Sequence, residues 1–381
     1  MKVLFVLNNL YSKGNGLAAS ARRTIATLKE AGLEVRVMSG PNSDPEGPQP
    51  DYPLKSFNFL FLEPIIRAHG YKFASTDVKV VEEAVRWADV VHMQEPFTLE
   101  YRTEKIARRL GKPVTGTYHL HPENILFSLG MGDSYLPNHW LLKAWRDFCL
   151  NKWDYVQCPT VNVLNRLKAN GFTSELRHIS NGLVPDACIR EPRQNRPFIL
   201  CCIGRLSGEK DQKTLLKALP LCRHAKDIRL VFAGKGPQEK KIRRMAGKLY
   251  KNGVLAYEPE FVFLDRDGLR KLAASADLCI HCATVEVEGL SIMEALQQGA
   301  VPVIASGPIT GADQIVLDAR SRFAQRDARE LAGKIDAWLD HPEEMEAMRS
   351  RYVEEMEKYS IRQSARQLTQ MFQDAINKKQ Q

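Results

Sequence analysis

Two glutamates, Glu286 and Glu294, lie on either side of Gly289 in the stretch VEVEGLSIMEAL, residues 285–296. The apolar residues after Gly289 recur at helical spacing, which predicts a helix from about Leu290, and the free amide groups of a helix N-terminus attract phosphate. Glu294 lies one turn further on, where its carboxylate can accept hydrogen bonds from ribose hydroxyls. Glu286, in the preceding loop, can reach a sugar. Spacing alone equally allows a structural interpretation, in which Glu294 faces solvent and Glu286 stabilises the helix dipole.

Two cations occur in a second loop of the same kind. The segment CCIGRLSGEKD (201–211) follows a strand-like apolar run and precedes a helical pattern. Arg205 and Lys210, just after Gly204, flank a turn at the end of the predicted strand. Together they can hold a diphosphate without a metal ion. The competing interpretation is that both side chains pair with surface carboxylates.

Glycines mark two further loops that follow predicted strands. AGKGPQ contains Gly234 and Gly236, which would let the backbone approach a ligand. NNLYSKGNGLAAS contains Gly14 and Gly16 in the pattern GxGxxA. As a dinucleotide fingerprint this pattern is weak, because the next strand ends RVMSG without an acidic residue for a ribose. We expect a loop that approaches phosphate or sugar, and no NAD site.

Two histidines follow another buried strand in TGTYHLHPEN, residues 115–124. We expect His119 and His121 both to enter the same cleft as the loops above. A histidine just past the carboxyl end of a strand is well placed to hydrogen-bond a substrate.

Two patterns typical of metal sites are weak here. Asp265 and Asp267 form an Asp-x-Asp, but they lie between a predicted strand and a helix, where Asp267 makes a good helix cap. Cys279 and Cys282 lie three residues apart in a strand-like run, so their side chains face opposite sides and suit zinc poorly. The eight cysteines are expected to be reduced, buried thiols. We expect no metal and no resident cofactor.

Composition narrows the class of protein. The chain has 381 residues, enough for two domains, and its 44% hydrophobic and 26% charged content is that of a globular protein. The formal charge of +9 favours anionic partners such as phosphorylated substrates, acidic lipid headgroups or nucleic acid. The dense basic run at 235–251 has helical spacing and lacks interleaved aromatics, which predicts a solvated helix face and no nucleic-acid groove. Without a signal peptide or a spanning apolar stretch, we expect a cytoplasmic protein, at most on a membrane surface.

Apolar strands alternate with helical patterns along the chain, which predicts parallel sheets covered on both faces. A polar, proline-bearing segment at 190–197 predicts a linker between two such series. Two doubly wound domains would place a ligand cleft at the carboxyl ends of their strands. The strands are predicted at 2–8, 34–38, 89–93, 114–118, 155–158 and 176–179, and then at 198–203, 229–233, 260–264, 278–281 and 301–305.

In their order, these segments resemble the retaining glycosyltransferases of the GT-B fold, family 4. GRLSGEK matches that family's G-R-L-x-x-E-K and EVEGLSIME matches its E-x7-E, whereas GKGP, ISNGL, GTYH and KYSIRQSARQL are weaker matches. The resemblance covers almost the whole chain. It implies an α/β architecture of two Rossmann-like domains facing each other across a cleft. The domains would be 1–188 on the acceptor side, 197–358 for the nucleotide-sugar, and a helix within 359–381 that returns to the first domain.

The resemblance also implies roles for the residues above. Arg205 and Lys210 would neutralise the donor diphosphate as leaving group without a metal. Glu294 would hold the ribose, and Glu286 with the backbone from Glu288 to Leu290 would position the transferred sugar and phosphate. The remaining site residues would be His119, which binds the sugar hydroxyls, and the glycines of the binding loops, Gly16, Gly204, Gly234, Gly236 and Gly289. The chain departs from the family where Asp265 replaces a glycine and Cys282-Ala283 replaces Pro-Ser, which affects the loop contacts with the base.

The acceptor is less defined. Residues 54–73 and 136–153 combine aromatic and basic residues and could enter a headgroup layer, which favours a lipid acceptor such as diacylglycerol and contact with an anionic membrane. Trp140, Leu141, Trp145 and Phe148 could instead simply pack a helix on the sheet. A soluble sugar or polysaccharide acceptor, a sugar-nucleotide epimerase and a nucleic-acid-binding protein are the alternatives. The family favours UDP-hexose as donor.

Overall fold

The computed structural model describes residues 1–12, 15–58, 63, 72–190 and 197–380. The chain divides into two compact units: unit 1 is Met1–Val184 with Ile361–Gln381, and unit 2 is Pro185–Ser360. The chain therefore passes from unit 1 to unit 2 and back again. Most of the linker predicted at 190–197 lies outside the described residues.

Unit 1 is built on a parallel sheet. Its described strands pair in the order β3-β2-β1-β6-β7-β8-β9, and β4 and β5 form a separate antiparallel ribbon. Their bounds are β1 (Lys2–Val6), β2 (Glu34–Ser39), β3 (Tyr52–Pro53), β4 (Ser56–Phe57), β5 (Phe73–Ala74), β6 (Val90–Met93), β7 (Val114–Thr117), β8 (Tyr155–Cys158) and β9 (Glu175–His178). Because β1 lies between β2 and β6, the strand order reverses there, which is where ligands bind in such sheets.

The helices of unit 1 follow the strands as predicted for a doubly wound sheet. They are α1 (Gly16–Glu30), α2 (Val78–Trp87), α3 (Thr98–Arg109), α4 (Pro122–Ser128), α5 (Tyr135–Phe148) and α6 (Val161–Ala169). Side-chain caps fix several N-termini: Asn15 accepts from the amides of α1, Asp77 from those of α2 and Thr160 from that of Val163. The starts of these three helices are therefore fixed by local hydrogen bonds.

Unit 2 repeats the design with a second parallel sheet, whose described strands pair in the order β12-β11-β10-β13-β14-β15. The strands are β10 (Phe198–Ile203), β11 (Ile228–Ala233), β12 (Glu260–Val262), β13 (Leu278–His281), β14 (Val301–Ser306) and β15 (Arg322–Ala324). The helices are α7 (Gln212–Ala218), α8 (Glu239–Lys251), α9 (Arg266–Ser275), α10 (Leu290–Gln297), α11 (Ala328–Leu339) and α12 (Pro342–Glu357). The reversal of strand order falls between β10 and β13.

The basic run at 235–251 lies mostly in α8. Ile242 and Ala246 are the buried residues of this helix, and most of its lysines and arginines are exposed. The run is therefore a solvated helix face, as the sequence predicts.

The C-terminal helix α13 (Ile361–Gln380) belongs to unit 1, as predicted. Leu368 and Phe372 are buried in the same apolar cluster as Val3 and Phe5 of β1. Gly182 makes the junction possible: its φ is +79°, and a Cβ there would lie 2.5 Å from Cα of Ile361. Only glycine combines this backbone conformation with so close an approach.

Candidate active site

The predicted donor loops of unit 2 all follow the carboxyl ends of its central strands. The loop 204–211 follows β10, the loop 234–238 follows β11, and the loop 282–289 follows β13. Since β10 lies between β11 and β13, the three loops are neighbours at one edge of the sheet. The sequence prediction that they cluster is correct within unit 2.

Lys210 and Glu286 form an ion pair at this edge. The Nζ of Lys210, at the end of a short 3-10 turn (Gly208–Lys210), donates to Oε2 of Glu286. Nε2 of His281, the last residue of β13, lies 3.1 Å from the same oxygen. The side chains of Lys210 and Glu286 are 21% and 15% exposed, so the pair is largely shielded but reachable. Lys210 does pair with a carboxylate, but with a site carboxylate and not a surface one.

The charge state of Glu286 follows from these neighbours. Burial by itself would raise the pKa of the Glu286 carboxyl, but the Lys210 ammonium and the hydrogen bond from His281 outweigh it and hold that pKa well below its usual range. Glu286 is therefore ionised at neutral pH, and it compensates the charge of Lys210.

Backbone contacts fix the position of Glu286. Its amide donates to the carbonyl of Ile309 (3.0 Å), and its carbonyl accepts from the amide of Gly311 (2.8 Å). Glu286 also forms an isolated parallel bridge with Thr310. The loop after β13 is thus tied to the loop after β14, which gives the carboxylate a defined place without a regular element.

Gly289 starts the helix that follows. Its φ of +85° places it in the left-handed region at the N-cap of α10, and a Cβ there would lie 2.8 Å from Cβ of Ala312. Leu290 is the first helical residue, so the first amides of α10 are presented at the strand ends. Glu294 lies one turn further on and is partly buried, whereas Glu288 is buried with 2% exposure.

The two glycines after β11, Gly234 and Gly236, lie against the loop that follows β10. A Cβ on Gly234 would lie 2.0 Å from the carbonyl oxygen of Gly204, and one on Gly236 would lie 2.3 Å from that of Leu206. The amide of Leu206 also donates to Lys235 (3.0 Å). Gly234 and Gly236 are therefore required for the close packing of two loops on each other, and this packing shapes the cation-bearing turn.

Arg205 lies in that turn. Its carbonyl accepts a hydrogen bond of 2.8 Å from Nε2 of Gln212, the first residue of α7. Its side chain is half-buried. On the neighbouring helix α10, Oγ of Ser291 donates to the carbonyl of Ile203 (3.3 Å). The start of α10 and the end of β10 are therefore in direct contact, which places the Gly204–Lys210 loop beside the Gly289 turn.

His119 lies in unit 1, just past β7. Its Nε2 lies 3.0 Å from Oε1 of Gln94, which follows β6. Burial lowers the pKa of His119 to about 3, so the ring is neutral at physiological pH. With the amide oxygen of Gln94 as acceptor, Nε2 carries the proton and Nδ1 can accept one from a ligand hydroxyl.

The expectation for His121 is wrong. His121 is fully buried as the N-cap of α4, and its Nδ1 lies 3.2 Å from the hydroxyl of Tyr118 and 2.8 Å from the guanidinium of Arg166. Arg166 in turn pairs with Glu123 (2.6 Å). A charged partner and a helix cap give His121 a structural role, and the proline after it fixes the chain direction.

Gly16 begins α1, with Asn15 capping the helix. No heavy atom lies within 4 Å of the position that a Cβ on Gly16 would occupy, so space remains there. Gly14, the other glycine of the pattern, lies outside the described residues.

Two expectations about the metal-like patterns need correction. The cap of α9 is Asp265, whose Oδ1 accepts from the amide of Gly268 (2.8 Å), and Asp267 instead pairs with Lys271 on the helix surface. Cys188 is exposed, although the other seven cysteines are buried as predicted and all eight are free thiols.

Some residues of the site edge carry no motif that would reveal them. His281, which lies within the Cys279–Cys282 segment, is hydrogen-bonded to Glu286. Phe263, just after β12, is 63% exposed, and Nζ of Lys235 lies 4.4 Å from the centre of its ring. The sequence predicts a strand over 260–264, which includes Phe263, whereas β12 ends at Val262 and leaves Phe263 just beyond it.

The helix α5 in unit 1 has an unusual surface. Leu142 and Trp145 are buried, but Trp140 is 75% exposed and Leu136 is 70% exposed. Other exposed residues of this helix are Tyr135, Lys143, Asp147 and Phe148. The packing interpretation therefore holds for the face that carries Leu142 and Trp145, and the opposite face presents apolar and charged groups to solvent. Of the companion segment 54–73, residues 59–62 and 64–71 lie outside the described residues.

No helix in the described part of the chain is both long enough and apolar enough to cross a membrane.

Two family models match the chain. The model described as Glycosyltransferase Family 4 matches residues 14–187, and the model described as Glycosyl transferases group 1 matches residues 189–355. Between them they span most of unit 1 and most of unit 2.

Relatives and solved structures agree with these matches. The chain is 24% identical over 325 residues to alpha-monoglucosyldiacylglycerol synthase of Streptococcus pneumoniae, covering 81% of this chain and 71% of that protein. HepE of Anabaena, solved with UDP and glucose, superposes with a TM-score of 0.71 at 15% identity over 98% of this chain and 100% of that one. Sucrose-phosphate synthase of Thermosynechococcus elongatus gives 0.71 at 16% identity and 98% coverage of both chains. At such identities the likeness shows the fold, which is the predicted GT-B fold.

Proposed function

Because this chain belongs to the group 1 glycosyltransferases of family 4, we propose that it transfers a hexose from a UDP-sugar to a hydroxyl of a membrane lipid such as diacylglycerol, with retention at the anomeric carbon. The observation that carries the proposal is the Lys210–Glu286 pair beside the start of α10. This edge of unit 2 combines a cation for phosphate, helix amides for phosphate and a carboxylate for sugar hydroxyls.

The leaving group requires positive charge. As the bond from the anomeric carbon to the diphosphate oxygen breaks, negative charge develops on that oxygen. Arg205 and Lys210 stabilise it together with the amides of α10, which is the electrostatic task that a metal ion performs in other transferases. We therefore propose a metal-independent reaction, without a cofactor beyond the donor itself.

The hydroxyls of the sugar and of the ribose require hydrogen-bond acceptors. Glu286 is ionised and accepts a hydrogen bond from a hydroxyl of the transferred hexose. Glu294 accepts hydrogen bonds from the ribose hydroxyls. The backbone from Glu288 to Leu290 lies between the two carboxylates and contacts phosphate and sugar. Phe263 and Lys235 lie just past the carboxyl ends of the edge strand β12 and its neighbour β11, where the ring offers a face for the nucleobase.

Retention needs no protein nucleophile if the acceptor attacks the face that the diphosphate leaves. The acceptor oxygen bonds to the anomeric carbon, its proton passes to the departing phosphate oxygen, and the electron pair of the broken bond stays on the diphosphate. A neutral His119 suits the positive charge that develops on the sugar, because an imidazolium would oppose it. We propose that Nδ1 of His119 accepts a hydrogen bond from a sugar hydroxyl. We also propose that Gly16, which has no side chain, leaves room for the donor diphosphate.

The division of labour follows from these roles. We propose that residues 1–188 form the acceptor side and that residues 197–358 bind the nucleotide-sugar. The helix within 359–381 would belong to the acceptor-side domain. The chain would act in the cytoplasm, on the inner face of a membrane.

The lipid acceptor is supported by two observations. The relative at 24% identity is described as a diacylglycerol glycolipid synthase. The helix α5 presents Leu136, Trp140 and Lys143 together, a combination that suits peripheral contact with an anionic membrane surface. The choice of UDP-hexose is supported by the structure of HepE, which holds UDP and glucose.

A transfer assay tests the proposal. The purified chain is incubated with UDP- or GDP-hexoses and with diacylglycerol in vesicles containing or lacking anionic lipid. The expected result is an α-linked glycolipid from a UDP-hexose, formed faster on anionic vesicles. Transfer only to soluble sugars would overturn the lipid acceptor, and a new sugar nucleotide formed without acceptor would identify an epimerase. Tight, steeply salt-dependent binding to oligonucleotides would instead favour a nucleic-acid-binding protein.

A further inference from the structure

The proposed transfer reaction gives no role to His281. It ends β13, is 6% exposed, and directs Nε2 at Oε2 of Glu286 from 3.1 Å. An ionised carboxylate only accepts hydrogen bonds, so Nε2 must carry the proton. The tautomer of His281 is therefore set by Glu286.

Glu286 thus has two donors on one oxygen. Lys210 and His281 both donate to Oε2. Among the described residues no side chain donates to Oε1, so Oε1 can accept a hydrogen bond from a ligand hydroxyl. The two donors differ in mobility. Lys210 reaches Glu286 through a flexible side chain, whereas His281 is a ring fixed at the end of a buried strand.

We propose that His281 is a positioning residue for the transfer reaction: it holds Glu286 in place so that Oε1 faces the transferred sugar while Lys210 turns from Glu286 to the donor diphosphate. The inference rests on the proposed function. When the diphosphate arrives, it competes for the Lys210 ammonium, and Glu286 then keeps one rigid donor. Without His281 the carboxylate would follow Lys210 or rotate away, and the sugar would lose its acceptor.

Matched substitutions of His281 separate positioning from a structural role. H281Q keeps an N–H donor at nearly the distance of Nε2, and H281L keeps bulk but removes the donor. Steady-state transfer is measured for wild type, H281Q, H281L, E286Q and the double variant H281L/E286Q, with thermal unfolding and UDP binding of each. H281L should lower kcat about 10- to 100-fold, the factor that a hydrogen bond to a charged group is worth. KM for the donor should change less, because the lost contact acts on the sugar.

The remaining variants decide what the loss means. H281Q should recover kcat to within a few-fold of wild type, and H281L should cost nothing further in the E286Q background, because His281 acts through Glu286. Equal kcat for H281L and wild type would overturn the inference, as would a full loss of kcat on adding H281L to E286Q. A purely structural role predicts a lower unfolding temperature that Gln does not restore.

Failure of the proposed function gives a different pattern. In that case wild type neither transfers a hexose nor binds UDP, and the assignment of His281 falls with it. If wild type transfers a hexose and H281L has the same kcat as wild type, the proposed function stands. In that case this inference alone is wrong.

Discussion

Lys210 and Glu286 are 76 residues apart in the chain and meet as an ion pair where β10 and β13 end. The cation proposed for the donor diphosphate is therefore already compensated by the carboxylate proposed for the donor sugar. A diphosphate that arrives must compete with Glu286 for Lys210. Under the proposed function, binding of the phosphate and loss of the Lys210–Glu286 contact are therefore coupled.

Replacing Lys210 by Ala should abolish transfer, by about 10²-fold or more, because the leaving diphosphate loses a direct cation. The pKa of Glu286 should rise at the same time, since Lys210 is the main group that lowers it. Initial rates with labelled UDP-hexose and circular dichroism check both activity and fold. Lys226→Ala, at an exposed position of the same unit, should be as active as wild type. Normal turnover of Lys210→Ala would remove this residue from the site.

Replacing Glu294 by Ala should abolish measurable transfer at ordinary donor concentrations while the fold stays intact. The physical reason is that the ribose hydroxyls lose their charged acceptor, so KM for the donor rises. A titration with UDP, followed by thermal unfolding, measures the loss of affinity directly. The control is Glu258→Ala, which alters an exposed carboxylate of unit 2. If Glu294→Ala still binds UDP like wild type, the ribose assignment is wrong.

Stability should depend on pH through His92. Its ring lies buried between the hydroxyls of Thr115 (2.9 Å) and Thr117 (3.0 Å), and burial lowers its pKa to about 3, with a smaller contribution from His119. The folded state therefore binds fewer protons than the unfolded state between pH 6.5 and 3. As pH falls through that window, the free energy of unfolding should decrease by up to ~1.4 kcal/mol per pH unit for this one group.

The His92→Gln variant isolates this contribution. Urea denaturation of both proteins from pH 7 to pH 4 should give a shallower loss of stability with acid for the variant, whatever its stability at pH 7. Parallel curves would show that His92 does not resist protonation in the folded state.

Replacing Trp140 by Glu should weaken binding to anionic vesicles by about 10-fold or more and slow transfer to a lipid acceptor. Its ring is 75% exposed, so the change removes a membrane contact and leaves the packing of α5 intact. Vesicle sedimentation and transfer rates report the effect, and slow hydrolysis of the donor in the absence of lipid should be unchanged. Val78→Glu, 54% exposed on α2, serves as the control. Equal binding of both variants would argue against α5 as the membrane contact.

Replacing Gly182 by Ala should lower the free energy of unfolding by about 2 kcal/mol or more. The side chain must adopt a φ of +79° and meet the backbone of Ile361 at 2.5 Å. Gly253→Ala has a similar φ of +71° with no atom within 4 Å, so it measures the conformational cost alone, about 1 kcal/mol. A loss for Gly182 no greater than that for Gly253 would mean that the junction adjusts freely.

The sequence predicts most of the fold because buried parallel strands read as continuous apolar runs. The predicted strands at 34–38, 155–158, 198–203 and 278–281 lie within one residue of the observed ones. The strands that it misses are short: β3 and β15 have two and three residues, too few for a pattern. The short ribbon of β4 and β5 is missed for the same reason.

The candidate site was predictable as a set of loops but not as a set of contacts. Strand order brings the loops of Lys210 and Glu286 together, yet nothing local to either residue indicates that they pair. The structural role of His121 is not visible in the local sequence because its partner Arg166 lies 45 residues away. Asp265 and Asp267 are both plausible caps by sequence, and only the backbone geometry at the start of α9 selects Asp265.

The return of α13 to unit 1 has a consequence for synthesis. All described strands of the unit 1 sheet are translated before the ribosome reaches Ile361, but the helix α13, which shares a buried cluster with Val3 and Phe5, is translated only after unit 2. Until then the apolar surface that α13 covers stays exposed in the nascent chain while all of unit 2 is translated. Deletion of α13 would therefore destabilise the sheet of unit 1 around β1, which lies far from the deletion in sequence.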